Sequence, residues 1–350
     1  MRQTGQVRHR SVRAKWHDFR GSPFYPATVV AVLLALGVAG FAGSYTYAMA
    51  APIPRSVPTA VVGRGDSTAG GRAFVDGMEQ ELRSSLRLHR FPTLGAAEQS
   101  VDKQESFAVL DPGDGRSVTL YIASAAGASV SELFVQSASR VGERLRVTVT
   151  VHDLKPLAKG DPRGLALFYI SIATVIIGFI GAIQLTVHAA PLNPGERIAF
   201  TALYSGLGGL AIQAVVSWWL HAVPLPFPLS WLIISLTMFT SGMVFTMFNT
   251  LVGRWSIIPT WGLMVLLGNP SSGGAVSWPL LPQPLGLIGR WLPPGASVNA
   301  LHTAVYFPEY ELLQPYLVLT GWALLSCGVF WIWRHRHPGG RPKTPQPVRD

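Results

Sequence analysis

Long apolar runs dominate the chain, and a polar block divides them into two groups. Ala27–Ala48 comes first. Gly164–Val187, Ile198–Leu220 and Leu229–Leu251 follow the block, and Leu317–Trp333 closes the series. Each comes close to the about 20 mostly apolar residues a helix needs to cross roughly 30 Å of hydrocarbon. Ser256–Leu267 is equally apolar but short. It runs directly into "GNPSSGG", the helix breakers Gly268, Asn269, Pro270, Ser271, Ser272, Gly273 and Gly274. Backbone that leaves its helix at membrane depth survives only where protein or water satisfies its polar groups. The pattern therefore predicts an α-helical integral membrane protein of six spans, the fifth broken or re-entrant. "WPLLPQPLGLIGRWLPPG" then predicts short pieces cut by Pro279, Pro282, Pro284, Pro293 and Pro294, with Trp278 and Trp291 at headgroup level. "NALHTAVYF" predicts a last helix before the return.

The polar block, residues 51–163, changes period. "TAVVG", "SFAVLDP" and "SVTLYIAS" are short apolar or alternating strands. "DPGDGR" separates the last two as a turn. Phe74, Met78, Leu82 and Leu86 recur at i, i+4 and predict one amphipathic helix. "ASVSELFVQSASRV" predicts a second, capped by Ser129 or Ser131, and "RLRVTVTV" (144–151) a final strand. The expected unit is a small extracytoplasmic α/β domain between spans one and two. The layout is a basic tail (1–26), a first transmembrane helix (27–50), this domain (51–163), a membrane domain (164–333) whose outer re-entrant segment is 268–316, and a second basic tail (334–350).

Charge sets the orientation. Only 13% of residues are charged and 49% are hydrophobic, against roughly 25% charged in soluble chains. Among the 28 Lys and Arg, Arg2, Arg8, Arg10, Arg13, Lys15 and Arg20 precede the first span. Arg334, Arg336, Arg341, Lys343 and Arg349 follow the last, and Arg197 and Arg254 sit in turns on the same side. The opposite short loops hold only Arg290. Both termini are expected in the cytoplasm. Ala48 and Ala50 also form a small-x-small cleavage pattern, so the first apolar run reads either as an anchor or as a signal peptide. The net charge of +10 comes without aromatic interleaving, which argues against nucleic acid. The basic tails suit anionic membrane lipid.

Chemistry is sparse. The full spans carry no Asp, Glu, Lys or Arg, groups that ion-coupled transporters and proton relays keep inside the membrane. No G-x-x-x-x-G-K-[ST] loop is present. Energy for any transport has to come from elsewhere. The single Cys327 forms no intrachain disulfide, and His89 and His152 are isolated surface residues, so neither metal nor cofactor is expected. Arg64–Asp66 spells an adhesion tripeptide but reads as a polar turn. Ser271, Ser272 and His302 are the only serine–histidine set worth considering for catalysis, and no orienting acid accompanies them; no enzyme is expected. Gly178 and Ala182 at i, i+4, and Ser205 and Gly209 likewise, predict close helix packing, within one chain or between two.

Several stretches resemble the YhgE/Pip-like (phage infection protein) family of the type-2 ABC-transporter permease superfamily: "TAVVG", "ESFAVLDPGD", "VTLYIASAAGASVSELF", "VHDLKPLAKGDPRGLALFY" and "GNPSSGGAVSWPLLPQPLGLIGRWLPPGASVNALHTAVYF". The likeness runs from about Ala27 to Trp333. The domain is short and lacks the long coiled-coil insertion of larger members. The resemblance implies a bacterial plasma-membrane permease that forms a homodimer and docks on a separate ABC ATPase. Its substrate would be hydrophobic or amphipathic. It further implies that the inner turn after the second span, with Pro191, Asn193, Pro194, Gly195, Glu196 and Arg197, is the ATPase-coupling loop; the residues themselves read "NPGER" as opening a short helix with Asn193 as its cap. The same likeness makes Gly268–Gly274 an outer re-entrant gate. The alternative is a non-transporting envelope protein, a receptor, scaffold or secretion component acting through its outer domain.

Overall fold

The computed structural model describes residues 16–17, 19–49, 54–64, 68–113 and 117–337. Several expectations lie outside the described residues. They concern Arg2, Arg8, Arg10, Arg13 and Lys15, Ala50 of the cleavage pattern, Gly65 and Asp66 of the tripeptide, the 114–116 tip of the "DPGDGR" turn, and Arg341, Lys343 and Arg349.

Five strands build the sheet of the α/β domain: β1 (Val57–Val62), β2 (Leu86–Phe91), β3 (Ala108–Asp111), β4 (Ser117–Ile122) and β5 (Thr148–Asp153). Their order is β2-β1-β3-β4-β5, and only β3–β4 is antiparallel. Alternation of side chains across the pleat divides the core in two. Val57, Val61, Leu110 and Leu120 face α2 (Ala69–Leu82) and α4 (Ala128–Leu145) through Phe74, Met78, Phe134 and Val141. Ala60 and Val109 face α3 (Leu94–Asp102) through Ala97 and Val101.

The structure corrects three details. The Thr68 hydroxyl accepts from the Gly71 amide at 3.0 Å and starts α2, but Arg83 enters the left-handed region at φ 51° and ends it. Leu86 therefore opens β2 instead of extending the helix. The sequence pattern predicts neither the strand at "LRLHRF" nor the separate helix α3. Gly127, not Ser129 or Ser131, is the N-cap of α4. The last strand begins at Thr148, because α4 continues to Leu145.

Among the described residues, five helices are long and apolar enough to cross a membrane, consistent with a helical membrane protein. They are α1 (Phe24–Met49), α5 (Ala166–His188), α6 (Pro194–Gln213, continued by a π turn to Trp219), α7 (Leu229–Val252) and α11 (Leu313–Arg336). A shorter apolar element is α8 (Ile257–Trp261), which loosens into a π turn over Gly262–Gly268. Two further helices follow, α9 (Gln283–Ile288) and α10 (Pro293–Tyr306). Pro293 and Pro294 occupy the first helical positions, where a missing N–H costs no bond. The predicted last helix thus starts earlier than "NALHTAVYF". Exposed tryptophans mark both ends of the bundle: Trp218, Trp219 and Trp291 near the domain, Trp331 and Trp333 at the far end. Such rings favour membrane–water interfaces.

Helix α7 is the axis of the bundle, two thirds buried over its most apolar window. Its hydroxyls bond across helices: Ser241 donates to the Val175 carbonyl (2.6 Å), Thr237 to Ser297 (3.0 Å) and Thr240 to the Leu319 carbonyl (3.3 Å). The predicted small residues are the contact points, and the packing is within one chain. A Cβ on Gly178 would lie 2.6 Å from the Met238 carbonyl oxygen, and one on Gly209 would strike the Ser235 side chain. Ala182 packs in the α5–α7–α8 core, and Ser205 is buried. Helix α1 meets the fifth apolar element at Gly37, against Trp261, and at Gly40, against Leu266.

Gly178→Ala is expected to push α5 off α7 and destabilise the protein by about 1–3 kcal/mol. Gly328→Ala, with nothing within 4 Å of its Cβ, is the control. Thermal unfolding of both variants in detergent measures the difference.

Candidate functional site

The polar run ends α8 and passes beneath the α/β domain. Gly268, Asn269, Pro270 and Ser271 are buried, and Ser272, Gly273 and Gly274 are half-buried. Close backbone approach makes this burial feasible. A Cβ on Gly289 would run into the Ser271 carbonyl, and one on Gly295 into the Gly289 carbonyl. A Cβ on Gly268 would lie 2.6 Å from Pro294. Three glycines thus let the run, α9 and α10 stack without side chains between them.

Past Gly274 the chain docks into the domain. Leu280 joins the domain core at 2% exposure, and Val276 packs against it. Trp278 meets Phe107 edge-on at 5.7 Å. The Ser277 amide donates to the Ser129 hydroxyl, which lies 3.0 Å from the Ser277 hydroxyl, and the Arg55 amide donates to the Pro279 carbonyl at 3.1 Å. From the other side, Gln104 and Thr303 exchange hydrogen bonds, Gln99 donates to the Tyr310 hydroxyl, and the Ala158 amide donates to the Tyr306 hydroxyl. Asp161 accepts from the Leu165 and Ala166 amides at 3.0 and 2.9 Å, capping the orphan donors of α5. The domain is therefore seated on the bundle.

A cavity of about 400 Å³ remains at this seam, within the range of small-molecule sites. Ser272 and Gly274 of the polar run form part of its wall. The start of α4 at Gly127–Ser129, Phe107, Arg163 and His302 form other parts. Among the described residues no Asp or Glu lines it.

Ser271 and Ser272 do share this cavity with His302, yet their hydroxyls donate to the Leu267 and Asn269 carbonyls at 2.7 Å each. No Ser–His bond forms among the described residues. Asn269 is 1% exposed; its amide faces the Tyr45 hydroxyl of α1 and finds no hydrogen bond of ordinary geometry. The His302 ring faces the Ala125 backbone. Among the described residues no group of three or more His, Cys, Asp or Glu is placed to hold a metal.

At the inner turn Asn193 is the N-cap, as expected, its amide donating to Glu196 at 3.0 Å, but the helix it starts is not a short one: "NPGER" is the first turn of α6. Arg197 is buried, donating to the Thr186 hydroxyl at 2.9 Å and the Ala189 carbonyl at 3.4 Å, so it braces the turn from inside. Pro191, Asn193 and Gly195 are exposed, and Pro194 and Glu196 are half-buried.

Sequence reasoning missed Ser106, Phe107, Gly127–Ser129 and Arg163 as parts of one site. The signal available was "AAGAS", a helix start with no Ser, Thr, Asp or Asn at its cap. Compared with known families, curated proteins and solved structures, the chain matches none.

One outcome is expected. Single cysteines in a Cys327→Ser background should be blocked at Asn269 and Ser271, and label roughly tenfold faster at Ser272 and Ala275, where the cavity gives access. Uniform labelling from 269 to 278 would describe an ordinary loop.

Proposed function

We propose that this chain is a permease subunit of the type-2 ABC kind, similar to the YhgE/Pip-like group, moving a hydrophobic or amphipathic substrate outward. In this reading it sits in a bacterial plasma membrane as a homodimer with both termini cytoplasmic. The α/β domain lies outside, and α8 with the buried helix α10 forms the half-crossing fifth span and its return. The observation that carries the reading is the half-length α8, broken at Gly268 and backed by α10 under a docked domain. This arrangement places a partly polar cavity beside apolar helices, as an amphipathic substrate requires. Spans α5, α7 and α11 carry no charge before Arg334, which supports an external energy source.

The coupling surface is the exposed turn Pro191–Gly195, with Arg197 holding it from behind. A second reading, a receptor or scaffold, draws on the edge strand β5, exposed at five of its six positions. Such an edge can accept a partner strand.

The test uses Gly195, where an added Cβ meets nothing within 4 Å. Gly195→Trp should leave thermal stability unchanged and weaken co-purification with a cognate ATPase at least about tenfold. Unchanged binding, or no ATPase bound by the native protein, would reject the coupling surface.

A further inference from the structure

We propose that the cavity beneath the α/β domain binds the phosphate group of an anionic amphiphile. This goes beyond the permease reading, since it concerns equilibrium binding and holds with or without an ATPase.

Four observations converge on that chemistry. The 18-residue helix α4 starts at the cavity wall, where its N-cap is Gly127 and no side chain caps its first-turn amides. Such a helix start presents N–H donors and a partial positive charge to an anion. Independently, Ser106 on the same wall is 1% exposed, and its hydroxyl has no hydrogen-bond partner. A buried hydroxyl without a partner is costly, and a bound oxygen would satisfy it. Gly127 brings Ser277 and Phe107 tight against the helix start, since a Cβ on it would lie 2.5 Å from the Ser277 hydroxyl and 3.1 Å from the Phe107 ring.

The third observation is charge. Arg163 and Arg290 line the cavity, both exposed, and neither pairs with a carboxylate among the described residues. Asp161, close in sequence to Arg163, already has its two oxygens on the Leu165 and Ala166 amides. Arg290 is held over the Trp278 ring at 5.0 Å, which orients its guanidinium while leaving its donors free. Unpaired guanidinium groups suit phosphate oxygens.

The fourth is the apolar remainder. Phe107, Phe168, Trp291 and Leu312 also line the cavity. Trp291 is 60% exposed at the domain-side end of the bundle, where tryptophans collect at the membrane surface. A phosphate can sit at the helix start with its apolar chain leaving past Trp291 toward lipid. A soluble phosphate compound would use the same donors without those apolar walls.

Binding to the full chain, purified in an uncharged detergent, is measured by native mass spectrometry with three probes: oleoyl lysophosphatidic acid, monooleoylglycerol and inorganic phosphate. Lysophosphatidic acid is expected to bind, monooleoylglycerol to bind at least about tenfold more weakly, and millimolar phosphate to displace neither. Arg163→Gln with Arg290→Gln should weaken lysophosphatidic acid about tenfold or more, and Ser106→Ala by several fold. Both changes should leave the melting temperature near that of the native protein, because the two arginines are exposed and the buried Ser106 hydroxyl has no hydrogen bond to lose. For the native protein, added salt should weaken lysophosphatidic acid but not monooleoylglycerol, an arm that needs no variant. Displacement by inorganic phosphate at matching affinity would keep the anion site and assign it to a soluble phosphate source. Equal binding of the uncharged probe, or full binding by the double arginine variant, would overturn the proposal. None of these outcomes depends on the Gly195 experiment, so failure here and failure of ATPase coupling are read separately.

Discussion

A backbone that leaves its helix inside the bundle has to be covered, and this requirement shapes the molecule. At Gly268 the fifth apolar element stops after a π turn. The peptide groups that follow lack helical partners, and hydrocarbon offers none. The coverage comes from glycine-to-backbone contacts at Gly289 and Gly295, from the buried helix α10, and from the α/β domain above. Each of these would be unnecessary if α8 simply crossed.

The same coverage joins the two halves of the protein. Leu280 is counted in the domain core although it belongs to the membrane half, and Asp161 of the connecting segment caps α5. Polar contacts between helices are individually modest, near 0.6 kcal/mol on average in membranes. The bundle relies instead on close approach at Gly178 and Gly209 and on the buried flank of α7. A shift of α10 would therefore move both the cavity wall at His302 and the seat of the domain. That coupling is what a substrate-responsive gate or a receptor domain would need.

Much of the architecture was legible in the chain. The apolar runs located the five long helices within a few residues, because hydrocarbon thickness dictates their length. "GNPSSGG" located the break, because those residues disfavour helix anywhere. Leu86 shows the limit: it satisfies helical spacing after Leu82, and only the left-handed Arg83 and pairing with Val57 make it a strand. "NPGER" shows another, since a capped short helix and the first turn of a long one share the same residues.

The site was less legible because it is assembled from distant segments. Ser129 and Ser277 stand 148 positions apart, and Gln104 and Thr303 stand 199 apart. Local periodicity carries no information about such pairs. By itself, the sequence determined the membrane class, the α/β insertion and the place where the fifth apolar run fails, all consequences of local hydropathy and backbone preference. Only the tertiary structure decided that the failed run would be buried instead of looped out, that Arg197 would turn inward, and that Ser106, Arg163 and the start of α4 would face one cavity. Those outcomes depend on which surfaces pack together, and packing is a property of the whole chain.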